Sequence, residues 1–381
     1  MENSQTSKPK VMTIFGTRPE AIKLFPVIRA LSKCSGLQNI SCVTAQHRQM
    51  LDQVLNIADI IPDYDLNLMQ ADQSLDQLTS RLLEGIGQTL DTIKPQRVVV
   101  QGDTATAMCG ALAAYYRKIP VSHVEAGLRS YNIYHPWPEE VNRKIIGTIA
   151  DQHFAPTQTS ADALSKENVP QEQITITGNT VIDALLTTVQ KGRETDFLND
   201  DLKALFQQYS DKKIIGVTSH RRENFGDGLA TIASALKEIA RRDDVALIFP
   251  VHLNPNVRTI MNDALGGLSN VAMIEPLDYP NFVALLDVCT FMLTDSGGVQ
   301  EEAPALGKPV LVMRDTTERP EGIEAGTAKL VGTDKDLIVN TANHLLDDAK
   351  FYNLMAKAHN PFGDGKASDR IANIIEQSLC S

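Results

Sequence analysis

Short apolar runs alternate with amphipathic helical patterns along the whole of this 381-residue chain. Its first half contains the runs KVMTIFG, QRVVVQG and PVSHVE, and its second half contains KKIIGVTS, VALIFPV and CTFMLTD. Strands that are apolar throughout and separated by helices are typical of parallel sheets covered on both faces. The alternation therefore predicts an α/β protein, and 43% hydrophobic residues are enough to fill two cores.

A charged stretch of low β propensity, KGRETDFLNDDLKALFQQYSDKK, interrupts this pattern and precedes a fresh strand. We place a domain junction just before it, near Gly178 to Asp183. The prediction is an N-terminal Rossmann-like domain at 1–178 and a C-terminal one at 179–366, with a last helix at 367–381 that packs back on the first. Two doubly wound domains are expected to bind a ligand in a central cleft, beyond the carboxyl ends of their strands.

The charge and the cysteines narrow the range of partners and compartments. A formal net charge of −11 without a long basic run argues against nucleic acid or an anionic membrane as the main partner. The polar start MENSQTSKPK does not resemble a signal peptide, and no apolar run is long enough to span a bilayer. Five scattered cysteines without a CxxC pair suit a reducing compartment, so we expect a cytoplasmic protein.

In the first domain, cations and acids follow the predicted strands. The segment FGTRPEAIK places Arg18 and Lys23 at a helix start, and a helix N-terminus flanked by two cations suits a phosphate. Asp103 follows QRVVVQG, Glu125 follows PVSHV, and Glu139 opens a helix behind PWP. Three carboxylates that converge would raise one another's proton affinity, which suits general acid–base chemistry.

The same residues admit simpler interpretations. Asp103 lies at a helix start, where a role as the N-cap would be sufficient to explain it. Glu140 is expected to be a solvated residue of the first helical turn. Arg143 lies one turn beyond Glu139, so we expect it to pair with Glu139 or with phosphate.

A cationic and titratable cluster follows the strand KKIIGVTS in the second domain. His220 is succeeded there by Arg221 and Arg222. The histidines of the chain lack the spacing of metal ligands, so we expect no metal site and assign only His220 to function.

Small residues follow the strand CTFMLTD at a second predicted helix start. Ser296, Gly297 and Gly298 would allow backbone N–H groups to approach a phosphate closely. Glu302, further along that helix, is suited to accept hydrogen bonds from a ribose diol, and Arg319 follows the next strand. The second domain is therefore expected to bind an anionic, nucleotide-like ligand.

Several common motifs are absent from the chain. There is no GxGxxG, which is the usual signature of a bound dinucleotide, and no GxxxxGK[ST] of a P-loop. HExxH and GxSxG are also missing, which argues against a zinc peptidase and a serine hydrolase of the usual kind. We therefore expect a reaction without a dinucleotide cofactor or a metal.

Longer motifs give the chain a closer resemblance. FGTRPEAIK, TAQHRQMLDQVL, HVEAGLR, PWPEEVNR, HRRENFG and TDSGGVQEEAPALGKPVLVMRDTTERPE, among matches from Val11 to Gly365, resemble non-hydrolysing UDP-N-acetylglucosamine 2-epimerases. The resemblance implies a glycosyltransferase-B-like fold and interconversion of UDP-GlcNAc and UDP-ManNAc without NAD or metal. It also implies a cytoplasmic homodimer that supplies ManNAc for cell-surface polysaccharide.

The resemblance also assigns roles to residues. It implies that Asp103, Glu125 and Glu139 are the catalytic carboxylates and that His220 steadies the departing diphosphate. It places Phe282 near the uracil. The residues that match nucleotide-sugar contacts of the family are Arg18, Lys23, Arg143, Ser296, Gly297, Gly298, Glu302 and Arg319.

Two segments concern features that differ among members. TAQHRQM resembles part of a second, regulatory UDP-GlcNAc site, with Gln46, His47 and Gln49 as candidates. Asp72 lies near where members with that site tend to carry an arginine, and an acid there would repel phosphate. Gln101 stands where a histidine often precedes the Gly-Asp pair.

Three other functions compete with epimerisation. A glycosyltransferase could use the same fold and donor, but a carboxylate cluster at the sugar fits elimination better. A silent nucleotide-sugar sensor would have no use for paired acids. A hydrolysing relative, which releases free ManNAc, usually carries a fused kinase domain that this sequence lacks.

Overall fold

The computed structural model describes residues 8–44, 48–68, 73–195, 197–219, 221 and 226–380, with the backbone alone at 48–50. The chain forms two compact units. One runs to Ala184 and resumes at Gly363, and the other covers Leu185–Phe362. Among the described helices, none combines the length and the apolar character needed to cross a bilayer.

The N-terminal unit contains a parallel seven-stranded sheet. Its strands are β1 Lys10–Phe15, β2 Gln38–Val43, β3 Tyr64–Asp65, β4 Arg97–Gln101, β5 Val121–Val124, β6 Gln152–Ala155 and β7 Ile174–Ile176. Their order in the sheet is β3-β2-β1-β4-β5-β6-β7. The runs KVMTIFG, QRVVVQG and PVSHVE correspond to β1, β4 and β5. Strand β3 has only two residues, both exposed.

Helices connect these strands and cover the sheet. They are α1 Arg18–Lys33, α2 Arg48–Ala58, α3 Leu75–Ile93, α4 Ala105–Tyr116, α5 Glu139–Ile149, α6 Gln158–Lys166 and α7 Thr180–Glu194. The last helix of the chain, α16 Ala367–Cys380, packs against α1. Its first turn is capped by the buried carboxylate of Asp183, which accepts hydrogen bonds from the N–H groups of Ala367 (3.3 Å) and Ser368 (2.7 Å).

The C-terminal unit contains a parallel six-stranded sheet. The strands are β8 Lys213–Thr218, β9 Val245–Pro250, β10 Val271–Ile274, β11 Phe291–Thr294, β12 Val310–Val312 and β13 Ala328–Leu330. They are ordered β10-β9-β8-β11-β12-β13. The helices are α8 Asp200–Gln208, α9 Asp227–Ile239, α10 Pro255–Leu265, α11 Tyr279–Val288, α12 Gly297–Ala305, α13 Pro320–Glu324, α14 Lys335–Asp347 and α15 Ala349–Ala356.

Both sheets share one topological rule. In each sheet the first strand is third in the order, with the next two strands added on one side and the later strands on the other. In such doubly wound sheets the order reverses beside the first strand, and loops at the carboxyl ends part there to admit a ligand. The prediction of an α/β protein with two Rossmann-like parallel sheets is confirmed.

Two histidines are buried side by side in the first sheet. His123 on β5 and His153 on β6 are partners in the strand register, and each side chain is only 1% exposed. Burial lowers the pKa of His123 to about 3, and it also lowers the pKa of His153 below the ordinary 6.5. Both rings therefore stay neutral in the folded protein at pH values where the unfolded chain binds protons.

We expect the free energy of unfolding to fall as the pH decreases below about 6.5, because only the unfolded state then protonates these histidines. Each ring contributes at most about 1.4 kcal/mol per pH unit in that window. Urea titrations between pH 5 and 7.5 measure the slope. The variant H153F, which removes one of the two groups, should have a shallower slope than wild type, and an unchanged slope would contradict this assignment.

Candidate active site

Two neighbouring strand ends bring the turn that carries Asp103 close to Glu125 in the N-terminal unit. β1 pairs with β4, and β4 pairs with β5, all in parallel, with Gln101 opposite Val124. The next residues, Gly102 and Glu125, therefore leave the same edge of the sheet. A Cβ atom built on Gly102 would lie 3.6 Å from Oε2 of Glu125. The turn that carries Asp103 thus adjoins the Glu125 carboxylate.

Glu125 is buried, and its side chain accepts hydrogen bonds from Lys23, Asn179 and Gln101. Its Oε1 accepts hydrogen bonds from Lys23 Nζ at 2.5 Å and from Asn179 Nδ2 at 3.0 Å. Its Oε2 accepts a hydrogen bond from Gln101 Nε2. The backbone of Glu125 has φ of 61°, a left-handed conformation that is uncommon outside glycine. Strained backbone held by surrounding bonds is a feature of functional sites, and here it turns the carboxylate toward its donors.

Asp103 is held from α5. Its Oδ2 accepts hydrogen bonds from Arg143, with Nε at 3.0 Å, and its backbone oxygen accepts from Asn142 Nδ2 at 2.9 Å. The N-cap of α4 is Thr104, whose hydroxyl accepts from Ala107 N at 3.0 Å. The interpretation of Asp103 as an N-cap is therefore wrong, because the neighbouring hydroxyl already fills that role.

The two adjacent glutamates of α5 have different surroundings. Glu139 is half-buried and makes no hydrogen bond or ion pair with any described residue. Glu140 is fully buried, and its carboxylate accepts hydrogen bonds from Ser130 N (2.9 Å), Tyr131 N (3.1 Å) and Arg143 Nη1 (3.1 Å). The expectation of a solvated Glu140 is wrong, because the preceding loop folds back and directs its amides onto this side chain.

Arg143 makes different contacts from those expected. Its guanidinium bridges Asp103 and Glu140, whereas the sequence suggested Glu139 or phosphate. The i to i+3 spacing explains the contact with Glu140, since such side chains lie on one helix face. Only the fold brings Asp103 within reach. The arginine therefore joins the end of β4 to the start of α5.

A buried glutamate not identified from the sequence connects two of these turns. Glu20 Oε2 accepts hydrogen bonds from the N–H groups of Gly16 (3.0 Å) and Thr17 (2.8 Å), and its Oε1 accepts from the Thr104 hydroxyl (2.7 Å). Burial raises the pKa of Glu20 above its ordinary value. The Thr17-x-x-Glu20 spacing is a capping box and could have identified it. Arg18, at the first position of α1, follows this fixed turn.

The C-terminal unit presents cations at the start of α12. Ser296 is the N-cap, and a Cβ atom built on Gly297 would lie 3.9 Å from Arg221 Nη2 and 4.0 Å from Arg319 Cζ. Two guanidinium groups thus approach a helix N-terminus, where anions are favoured. Arg319 also donates a hydrogen bond to Glu301.

A cavity of about 220 Å³ lies at the carboxyl ends of β8 and β9 in the same unit. Phe282, Ser296 and Glu302, all selected from the sequence, line it. The residue Glu302 is 7% exposed, and its Oε2 would lie 3.7 Å from a Cβ atom built on Gly298. An aromatic wall beside a carboxylate fits a base and its ribose diol.

Some of the predicted residues lie outside the described part of the chain. These are His220 and its neighbour Arg222, together with Gln46 and His47. Gln49 lies in α2, but its side chain is also outside the described part. In the described ranges, no group of three or more His, Cys, Asp or Glu side chains is placed to hold a metal ion.

Known proteins resemble the chain over nearly its whole length. A family model described as UDP-N-acetylglucosamine 2-epimerase matches residues 29–376. The UDP-N-acetylglucosamine 2-epimerase of Escherichia coli K12 is 53% identical over 374 residues, which cover 98% of this chain and 100% of the relative. The chain belongs to the UDP-N-acetylglucosamine 2-epimerase family.

Solved structures of UDP-GlcNAc 2-epimerases support the same conclusion. The structure from Neisseria meningitidis, bound to UDP-GlcNAc, is 46% identical with a TM-score of 0.84, covering 97% of this chain and 100% of that one. The structure from Methanocaldococcus jannaschii, in complex with UDP-GlcNAc and UDP, is 35% identical with a TM-score of 0.76, covering 97% and 99%. The predictions of an enzyme of this family and of its glycosyltransferase-B-like fold class are confirmed.

The adjacent acids of α5 allow a matched test of the site. We expect Glu140→Ala to lower the free energy of unfolding by about 3 kcal/mol, because it leaves buried N–H groups and part of the Arg143 guanidinium without an acceptor. Glu139→Ala should change the same quantity by no more than about 0.5 kcal/mol, since that carboxylate has no partner among the described residues. Unfolding curves in guanidinium chloride measure the free energy of unfolding of both variants. Equal losses of this free energy would contradict the difference in burial between Glu139 and Glu140.

Proposed function

We propose that this chain interconverts UDP-GlcNAc and UDP-ManNAc by anti elimination of UDP and its re-addition to 2-acetamidoglucal. The observation that carries the proposal is the grouping of Asp103, Glu125 and the start of α5 at one edge of the first sheet. Family membership supports the overall reaction, and the grouped acids support this route. The identity of the substrate agrees with the UDP-GlcNAc bound to the relative from Neisseria meningitidis.

The chemistry explains why carboxylates are needed. The proton at C2 of the sugar is not acidic, because no carbonyl adjoins that carbon. In the proposed step a base removes this proton, the C–H electron pair forms the C1–C2 double bond, and the C1–O pair departs with UDP. In the return step the UDP oxygen bonds to C1 while an acid delivers a proton to the opposite face of C2. Because the proton leaves one face of C2 and returns to the other, acid–base groups are required on both sides of the sugar ring.

The three acids differ in how firmly they are held, which suits a division of work. Glu125 and Asp103 are fixed in orientation by their donors, whereas Glu139 has no partner among the described residues. A fixed carboxylate lowers the cost of aligning the proton in the transition state. Lys23, expected to contact the nucleotide sugar, is paired with Glu125 and would also bring positive charge to the reacting group.

The C-terminal unit supplies the proposed site for UDP. Arg221 and Arg319 approach the N-terminus of α12, which suits the diphosphate, and the cavity with Phe282 and Glu302 suits uridine. Positive charge at the departing diphosphate stabilises the transition state as the C1–O bond breaks. His220, which lies outside the described residues, is proposed to steady the departing diphosphate.

We also propose a second, regulatory UDP-GlcNAc site around 46–49.

We further propose that the enzyme acts as a homodimer in the cytoplasm, without NAD or metal, and supplies ManNAc for cell-surface polysaccharide. Exposed aromatic side chains at the end of α4, Tyr115 and Tyr116, support a self-association surface on the first unit. Analytical ultracentrifugation measures the assembly directly, and a monomer at all concentrations would contradict the dimer.

The reaction is tested by proton NMR of the purified protein with UDP-GlcNAc in D₂O, with no NAD or metal added. We expect UDP-ManNAc to form with deuterium at C2, because cleavage of the C2–H bond exchanges that proton with solvent. Trace 2-acetamidoglucal and UDP would identify the elimination. Unchanged, fully protonated substrate, even with excess nucleotide sugar as a potential activator, would overturn the proposal in favour of a sensor. Transfer of the sugar to an acceptor would indicate a glycosyltransferase.

Asp103→Asn is expected to lower turnover by about 10²–10⁴-fold, because it removes an acid–base group while keeping its shape. UDP affinity should stay within about twofold, since the proposed UDP contacts lie in the C-terminal unit. Isothermal titration with UDP and the NMR assay measure both quantities. The control is Asp91→Asn, which alters an exposed partner of Arg117 and should leave turnover unchanged. Near-normal turnover of the Asp103 variant would remove this residue from the mechanism.

A further inference from the structure

A buried histidine outside the proposed chemistry contacts the turn before Asp103. His123 lies on β5, two residues before Glu125, with only 1% of its side chain exposed. Its Nε2 is 2.7 Å from the carbonyl oxygen of Gly102. That oxygen belongs to the peptide group that joins Gly102 to Asp103. The histidine therefore touches the backbone that carries a proposed catalytic acid.

The ring acts as a neutral donor. A carbonyl oxygen can only accept, so Nε2 must carry the proton in this contact. Burial, with Arg129 and Arg143 nearby, lowers the pKa of His123 to about 3. The Nδ1 atom is buried and has no hydrogen-bond partner among the described residues. A ring in this state cannot exchange protons with a substrate at neutral pH, so its contribution must be geometric.

Both ends of Gly102 are tied to β5. Its N–H donates to the carbonyl oxygen of Val124 at 3.0 Å, and its own carbonyl accepts from His123. Gly102 has φ of 68°, so the chain turns sharply here, and without these bonds the turn could relax. Glu125 follows Val124 directly. One strand thus carries the second acid and holds the backbone of the first.

We propose that His123 is a positioning residue that fixes the separation between the Asp103 and Glu125 carboxylates through its hydrogen bond to Gly102. This inference rests on the proposed function, in which these two acids act on one sugar ring. A misplacement of about 1 Å between reacting groups can cost about 10²-fold in rate. The loss should fall on turnover, because the proposed contacts with UDP lie in the other unit.

The sheet offers a matched control in His153. It is equally buried, it is the register partner of His123 on β6, and its Nε2 is 3.0 Å from the carbonyl oxygen of Ala150. That bond ends at the C-cap of α5 and not at an acid-bearing turn. H123F and H153F therefore delete the same kind of buried hydrogen bond while keeping a ring of similar size.

We expect kcat of H123F to fall about 10²-fold, with KM and UDP affinity within about twofold of wild type. H153F should keep kcat within about threefold while losing a comparable amount of thermal stability. With UDP-GlcNAc deuterated at C2, H123F should show a larger isotope effect on kcat than H153F, because misaligned proton transfer limits its rate more. H123Q, which keeps a neutral hydrogen-bond donor, should recover part of the kcat that H123F loses. If H123F does not fold, the kcat of H123Q can still be compared with that of wild type and H153F.

Specific results would overturn this inference. They are an H123F turnover within threefold of wild type, equal losses of turnover in H123F and H153F, or no recovery in a folded H123Q. A wild-type protein that forms no UDP-ManNAc would instead refute the proposed function itself. The wild-type assay therefore separates failure of the proposed function from failure of this inference.

Discussion

The parallel pairing of β4 with β5 determines where the acids of the first unit lie. Gln101 and Val124 are paired and are the last residues of β4 and β5, so both strands end at the same position along the sheet. Gly102 follows β4 there, and Glu125 follows β5. A shift of one residue in this register would send the side chains to opposite faces and separate the carboxylates. The Gln101 amide reinforces the pairing by binding Glu125 across the strands. The remaining contacts of the site depend on this alignment.

Ion pairs around the acids contribute more to orientation than to stability. Lys23 pairs with Glu125, while Arg143 joins Asp103 to Glu140. Removing charges from water is costly, so buried pairs add little net stability, although breaking one leaves an uncompensated charge. In the proposed reaction, their value is that each carboxylate meets the substrate in one direction. Catalysis gains when such alignment exists before the substrate arrives.

The second unit uses the same doubly wound topology for a different purpose. Its strand β8 and the neighbouring β11 are followed directly by Ser219 and Asp295, which are joined by a hydrogen bond of 3.2 Å. Small residues then open α12, so backbone N–H groups and guanidinium groups are accessible to an anion where the first unit presents carboxylates. In the proposed function, one sheet thus supports proton transfer and the other supports nucleotide binding. The difference lies in the residues that follow the strands.

The sequence by itself determined the class of fold and the strand ends at which the candidate site residues lie. Apolar strands that alternate with helices are typical of parallel sheets, and polar residues that follow such strands meet at the carboxyl edge, so Asp103 and Glu125 could be selected in advance. Phe282 was selected from the family resemblance instead. Tertiary structure alone decided the partners. Glu140 is buried because loop amides ten residues earlier in the chain reach it, and His123 contacts Gly102 across two strands. Such hydrogen bonds join residues that are far apart in the sequence, so a local sequence pattern cannot predict them. Their strength also depends on burial, which arises only when the chain has folded.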